Sequence, residues 1–399
     1  YKSQPQGSTT AVLRVRLAQT LEPDPGNTGV RESGSLPLQL KQEEVMLTGH
    51  VLTRRGVIGG ALALASAATL VACGQDTKAD SKKVTVVTHS SFQVSDNLKK
   101  EFEKTSGFKL EIVDGGDGGE LVNKLILSKD APQGDVCFGV DNTYASRLLS
   151  QGVIDKDRTV DTIPESAEKY LVDNNRALVP IDMGDVAINI DKTYFASHNL
   201  AEPKTFEDLA KPEYAKLLVA INPTTSTPGL AWMLATVGHF GADKFSDYWK
   251  TLVKGGAKIA SGWTEAYNTD FSAGEGKGAY PIVVSYASSP SYTVSKDGAS
   301  TTTAALLDTA FRQVEYAGVL KGAANPAGGQ AFINWMLSKN VQADIPKKMY
   351  MYPVDSSVQL PEALAKFGPL AEKPVEVAPA KIAAEREQWL KLWASAVGK

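Results

Sequence analysis

Few side chains in this chain are spaced for bond-making. Beyond position 73, histidine occurs only at His89, His198 and His239, with no His-x-x-x-His pair to hold a metal. No Gly-x-Ser-x-Gly elbow presents a nucleophilic serine. Cys137 lies in Val136-Cys137-Phe138-Gly139-Val140, an apolar run that reads as a buried strand, so its thiol is expected to be structural. Other segments suit the holding of a small ligand. Gly115-Gly116-Asp117-Gly118-Gly119 joins a predicted strand to a predicted helix, and its glycines allow close backbone approach. No lysine follows the last glycine, so this is not a phosphate-binding P-loop; Asp117 could equally cap the helix. Ser226-Thr227-Pro228-Gly229 carries good helix-start signals. The N–H groups at such a start favour an anion by about 0.3–2 kcal/mol, unless the serine is a cap and nothing more. Asp141 and Asn142 follow the third predicted strand, at the carboxyl end where open α/β sheets bind ligands.

These residues need a scaffold. Val84–Thr88 and Lys109–Val113 read as strands, and Asp135–Val140 as a third. Helices are predicted over Asp96–Ser106, stopped by Gly107, onward from Glu120, and over Tyr144–Ser150. Strand and helix alternation of this kind predicts an α/β fold with a mostly parallel sheet. Val179–Asn189, which contains Asp182, is a long alternating strand able to carry the chain between two lobes, and Tyr280–Tyr286 is a second candidate crossover. From about residue 300 helices are expected to dominate, including Gly328–Ser338 and an amphipathic Ala380–Val397 packed on the first lobe.

The start of the chain has a different character. Arg54 and Arg55 precede an uncharged run, Gly56 to Ala72, that ends in Leu70-Val71-Ala72-Cys73. This resembles a twin-arginine signal peptide closed by a lipoprotein processing box. It implies an exported protein tethered through lipid on Cys73 to the outer face of the cytoplasmic membrane. The expected organisation is an extension over 1–45 ahead of a natural start at Met46, a signal peptide over 46–72 and a lipidated linker over 73–82. Segment 1–73 holds seven Lys/Arg and five Asp/Glu, so the remainder carries a formal charge of −5 against −3 for the whole. An acidic chain with no basic block argues against a nucleic-acid partner. With Cys73 acylated, Cys137 has no partner for a disulfide.

Five segments together carry a family resemblance: Phe138-Gly139-Val140-Asp141-Asn142, Asn222 to Leu230, Gly262 to Tyr267, Ser285 to Tyr292, and Met349-Tyr350-Met351-Tyr352-Pro353-Val354. From about Val84 onward the chain resembles the thiamine-binding proteins of bacterial ABC importers, which are two-lobed solute-binding proteins. The resemblance implies an α/β fold with two crossover strands and a ligand cleft between lobes. The lobes are expected at 83–181 with 291–399, and at 182–290. It also implies a ligand, thiamine or a thiamine phosphate, in place of a cofactor, and a monomer that delivers it to a membrane permease. By resemblance Asp117 and Gly118 line the cleft, and Ser226 bonds the hydroxyethyl or phosphate end. Trp263, Tyr292 and Tyr350, with Tyr267 one helical turn on, supply aromatic faces for the thiazolium, each good contact contributing about 0.5–2 kcal/mol. Asp141, Asn142 or Asp182 would offset the charge or accept from the 4-amino group; each could also be a cap or hinge bond. His89 and Met183 stand where the family has aromatic residues. Iron-binding relatives use adjacent tyrosines, absent here, and thiaminases need a reactive cysteine; a polyamine is a further alternative ligand.

Overall fold

Two long strands run antiparallel through the middle of a nine-stranded sheet. This computed structural model describes residues 82–399 except Asp161 and Asn174, all within the compact unit Gln75–Lys399. The extension, the twin-arginine segment, Cys73 and the linker as far as Ser81 lie outside the described residues. The strands are β1 (Lys83–Thr88), β2 (Lys109–Asp114), β3 (Val136–Asp141), β4 (Val179–Asp191), β5 (Leu218–Ile221), β6 (Lys258–Ala260), β7 (Ile282–Tyr286), β8 (Thr303–Val319) and β9 (Tyr352–Pro353). Their order is β2-β1-β3-β8-β4-β7-β5-β6, with β9 on β4.

On one side β1, β2 and β3 pair in parallel; on the other β5, β6 and β7 do the same. Strands β4 and β8 join the two groups. Val179 to Asp182 lies opposite Ala317 to Glu315 beside β3, and Val186 to Asp191 lies opposite Phe311 to Thr303 beside β7. This is the two-lobed, doubly crossed α/β architecture. The parallel strands are β-branched runs covered by helices on their faces, as parallel strands require. Helix Asp96–Ser106 ends at Gly107 in the left-handed conformation (φ 75°), where a side chain would be strained.

Three expectations are corrected. The strand containing Tyr280–Tyr286 is β7, which stays within the second lobe; β8 is the second crossover. Helices accordingly do not take over at residue 300. Asp308, Arg312, Gln313 and Glu315 interrupt the apolar pattern of β8, because each serves a face that is not plain core. The terminal helix Pro379–Val397 does not rest on the first lobe alone. Trp393 packs edge-on to Trp249 of helix Phe245–Lys254 in the second lobe, with ring centroids 5.7 Å apart. From the same helix, the buried Arg386 donates to the Thr143 carbonyl at 2.8 Å, just after β3.

Cys137 is wholly buried and its Sγ lies 3.5 Å from the Gly318 carbonyl. Burial pushes the thiol up to about 12, which suits a packing residue and not a nucleophile. Among the described residues no helix is long and apolar enough to cross a membrane.

Candidate ligand-binding site

The site is built by two irregularities in the sheet. Strand β3 pairs Phe138 with Ala317, then skips Gly139, so that Val140 faces Tyr316 and Asp141 faces Glu315. Strand β4 pairs Pro180 with Tyr316, then skips Ile181, so that Asp182 also faces Glu315. Each bulge adds one residue and flips every later side chain to the other face. Without them, Asp141 and Asp182 would point away from Glu315. With them, Asp141, Glu315 and Asp182 stand side by side across three strands, where the apolar floor of Phe138, Ala317 and Val179 ends.

All three are buried. Asp141 accepts from the Thr143 hydroxyl at 2.6 Å and its N–H at 3.1 Å through one oxygen, while its other oxygen has no donor. Neither oxygen of Asp182 has one. Its neighbour is the Glu315 carboxylate, so a shared proton is the bond open to the pair. Burial, with Glu315 adding to it, pushes Asp141 up to about 7 and Asp182 well above the usual carboxylate range. No lysine or arginine pairs with the row among the described residues; its ion pair is with His89, whose Nε2 lies 3.4 Å from Glu315. His89 Nδ1 accepts from the Ser91 N–H at 3.2 Å. Burial works against the imidazolium, but Glu315, Asp117 and Asp114 outweigh it, so His89 is raised. Gly139 makes room for this ring. A Cβ there would come within 1.9 Å of His89 Cδ2, and its φ of 91° suits glycine.

The glycine loop closes the site from the first lobe. Asp117 caps helix Gly118–Leu127 through the Gly118 N–H at 2.6 Å, and its second oxygen accepts the Trp263 N–H from the other lobe at 3.0 Å. Glu120 N–H donates across to the Thr225 carbonyl at 3.1 Å. Asp117 therefore both caps the helix and bonds across to the second lobe. Burial raises its pKa, opposed by the Trp263 N–H and the Ser226 hydroxyl. Ser226 is fully buried at the start of helix Thr227–Phe240, with Gly118 pressed against Thr227.

Aromatic faces complete the constellation. Trp263 stacks on Tyr267 at 5.2 Å and 9°, and its Nε1 donates to Ser285 Oγ at 2.9 Å. Tyr292 lies against Tyr350, centroids 3.7 Å apart, and Tyr350 holds a positive φ of 57° that a tyrosine adopts only under constraint. Tyr286 lies 6.5 Å from Trp263 and donates from its hydroxyl to Gln313, which in turn reaches Thr227. Burial and the charges of Glu315, Asp117, Asp141 and Asp182 raise the Tyr286 phenol, which places it within the field of the whole acidic row.

The structure thus gathers His89, Asp117, Gly118, Asp141, Asp182, Ser226, Trp263, Tyr267, Tyr292 and Tyr350 around the junction of the lobes. Asn142 is turned elsewhere: its amide donates to the Arg312 carbonyl at 3.1 Å and accepts from the Val314 N–H at 3.1 Å, clipping β3 to β8. Sequence reasoning does not single out Glu315, Gln313 or Tyr286 as site residues. The available signal was period-two alternation along Phe311, Gln313, Glu315 and Ala317. Among the described residues no group of three or more His, Cys, Asp or Glu has the geometry of a metal site.

Residues 134–369 match the family model described as bacterial extracellular solute-binding protein. The chain belongs to that family. It is 29% identical over 321 residues to the thiamine-binding periplasmic protein of Escherichia coli (strain K12), covering 79% of this chain and 94% of that one. It is 28% identical to the thiamine-binding periplasmic protein of Brucella melitensis, covering 79% and 92%. Among solved structures, a periplasmic thiamin binding protein superimposes with a TM-score of 0.69 at 28% identity, over 79% of this chain and 96% of the other. A ferric binding protein from Campylobacter jejuni reaches 0.61 at 16% identity, over 78% and 99%, a likeness of fold alone.

Proposed function

We propose that this protein captures thiamine outside the cytoplasm and hands it to an ABC importer. The observation that carries this reading is the Asp141–Glu315–Asp182 row, with Tyr286 in its field and Trp263 6.5 Å from Tyr286, together with the Tyr292–Tyr350 pair. Buried carboxylates whose one basic partner is His89 at Glu315 attract a positive ligand, and aromatic faces hold a flat one. A thiazolium joined to an aminopyrimidine is both. The similarity to thiamine-binding relatives supports the same choice. Iron finds less support: the Tyr286 hydroxyl is already bonded to Gln313.

The lobes would close by bending β4 and β8, with 83–181 in the first and 182–290 in the second, and β8 shared between them. Asp117, bonded to Trp263 from the opposite lobe, would act as the latch. Release from export would leave Cys73 lipidated and the protein monomeric beside its permease. Cys73→Ser should then free the protein from the membrane fraction; retention at wild-type level would count against lipid on Cys73.

Isothermal titration of the protein with thiamine, its mono- and diphosphate, spermidine and ferric citrate tests the ligand. Thiamine should bind below micromolar, equivalent to more than about 8 kcal/mol. Trp263→Ala should weaken it by roughly ten- to a hundredfold through lost stacking. Tight binding of spermidine or iron with none of thiamine would overturn the assignment.

A further inference from the structure

We infer that the site takes its cationic ligand in exchange for a proton, held without ligand on the Asp141–Glu315–Asp182 row and released to solvent when the cation settles against it. This rests on the reading above that the ligand is a cation. Glu315, central in the row, becomes with Asp182 the specificity-determining pair that discriminates a cation from a neutral ligand.

The geometry leaves few alternatives. Two bulges force three carboxylates into one register row on adjacent strands. Three of their oxygens, Asp141 Oδ2 and both of Asp182, are buried without a donor. Like charges so close in a buried setting cannot all ionise. A proton between Asp182 and Glu315 gives Asp182 a bond that nothing else provides.

Among the described residues around the row, His89 is the one base, and it answers Glu315 and not the Asp182 oxygens. From the end of β1, His89 faces Glu315; from the end of β2 and the glycine loop, Asp114 and Asp117 face His89 as further acids; from β7, the Tyr286 phenol stays neutral. Arg386 of the terminal helix is spent on the Thr143 carbonyl and the Tyr144 ring, behind Asp141. Burial, reinforced by Glu315, holds Asp141 near 7 and Asp182 well above the usual range, so the row retains a proton near neutral pH.

The sign follows from linkage. A cation stabilises ionised carboxylates and lowers their pKa, so a proton leaves on binding. Any proton on His89 is repelled by the same cation and leaves as well. Affinity therefore rises with pH until the row is ionised without ligand.

The experiment is titration of the full chain with thiamine, near neutral pH, in two buffers of very different ionisation enthalpy. The enthalpy difference counts protons, and about one should be released per thiamine bound. Asp182→Asn should cut that count to less than half while binding persists, because the shared proton has lost one holder. His89→Gln should leave most of it. Equal enthalpies in both buffers with tight binding would overturn the exchange, as would full release from Asp182→Asn. Absence of thiamine binding in either buffer would instead sink the ligand reading, and the exchange with it.

Discussion

Strand β4 carries two buried acids on opposite faces, Asp182 and Asp185, three residues apart, and its partner β8 treats them in opposite ways. Asp185 receives a two-pronged Arg312 guanidinium, whose Nη2 also donates to the Ala371 carbonyl at 3.0 Å, and Ala371 N–H returns a bond to Asp185 at 2.7 Å. Asp182 receives no donor at either oxygen and faces a second carboxylate. One face of the crossover is closed and satisfied. On the other, His89 reaches Glu315, and the Asp182 carboxyl is left for a ligand or a proton to answer. A satisfied buried ion pair fixes structure, whereas a buried acid without a cation stores free energy for binding.

The largest effect comes from breaking the satisfied side. Arg312→Met leaves Asp185 buried with a single N–H donor and should destabilise the protein by about 3–5 kcal/mol in denaturant unfolding. Asp182→Asn replaces a buried carboxyl that must keep a proton beside Glu315 with a neutral amide, and should raise stability without ligand at neutral pH by about 1 kcal/mol, while weakening thiamine binding. If both substitutions moved the unfolding midpoint in the same direction, the contrast between the faces would be lost.

A pH series sharpens the same contrast. Asp141 sits at about 7 in the folded chain, against an ordinary carboxylate near 4 when unfolded. Its folded pKa is raised, so its contribution to stability is full below the unfolded value and is lost as pH climbs toward 7; Asp182 acts with the same sign. Thermal melts without ligand should therefore lose on the order of 2–4 kcal/mol of stability across that window. Saturating thiamine should shrink the loss, and Asp141→Asn should flatten it. A profile that rises steadily from pH 4 to 7 in the unliganded protein would contradict the buried, protonated row.

The glycine loop gives an intermediate effect. A Cβ on Gly119 would meet the Thr225 backbone at 2.7–2.8 Å, with no flexible side chain to yield. Gly119→Ala should therefore hold the lobes apart and weaken ligand binding by roughly ten- to a hundredfold, about 1.4–2.8 kcal/mol. It should leave stability nearly unchanged, since alanine favours the helix start it occupies. A compaction measured by small-angle scattering on adding thiamine should be lost in the variant.

Much of this scaffold is legible in the sequence, and the reason is local. Helix Asp96–Ser106 shows its buried Leu98 and Phe102 at helical spacing and its stop at Gly107. β4 shows its alternation over Val179–Asp191, and Asp141 follows from the end-of-strand rule. The acidic row itself is not local. It depends on two bulges that set register between distant strands, and Glu315 sits in a stretch whose Arg312, Gln313 and Glu315 mask the strand. Asn142 shows the same limit from the other side: adjacent to Asp141, it serves the β8 backbone because the turn aims it there. Aromatic positions carried by family resemblance fall together, although nothing in their spacing alone separates them from core residues.

The smallest expected effect concerns the rim. Tyr292 remains 54% exposed even though its ring lies on Tyr350, while Trp263 is stacked, hydrogen-bonded to Ser285 and close to Tyr286. A ring open to water contributes less to holding a cation, on the order of 0.5–1 kcal/mol against about 2 for a desolvated one. Tyr292→Ala should thus weaken thiamine two- to fivefold by roughly that smaller amount, mainly through faster dissociation. Tyr292→Phe should be silent, because the proposed contact is through the ring face and not the hydroxyl. A loss from Tyr292→Ala as large as that from Trp263→Ala would mean that the rim closes over the bound ligand, and that the tyrosine pair belongs with the buried aromatic wall.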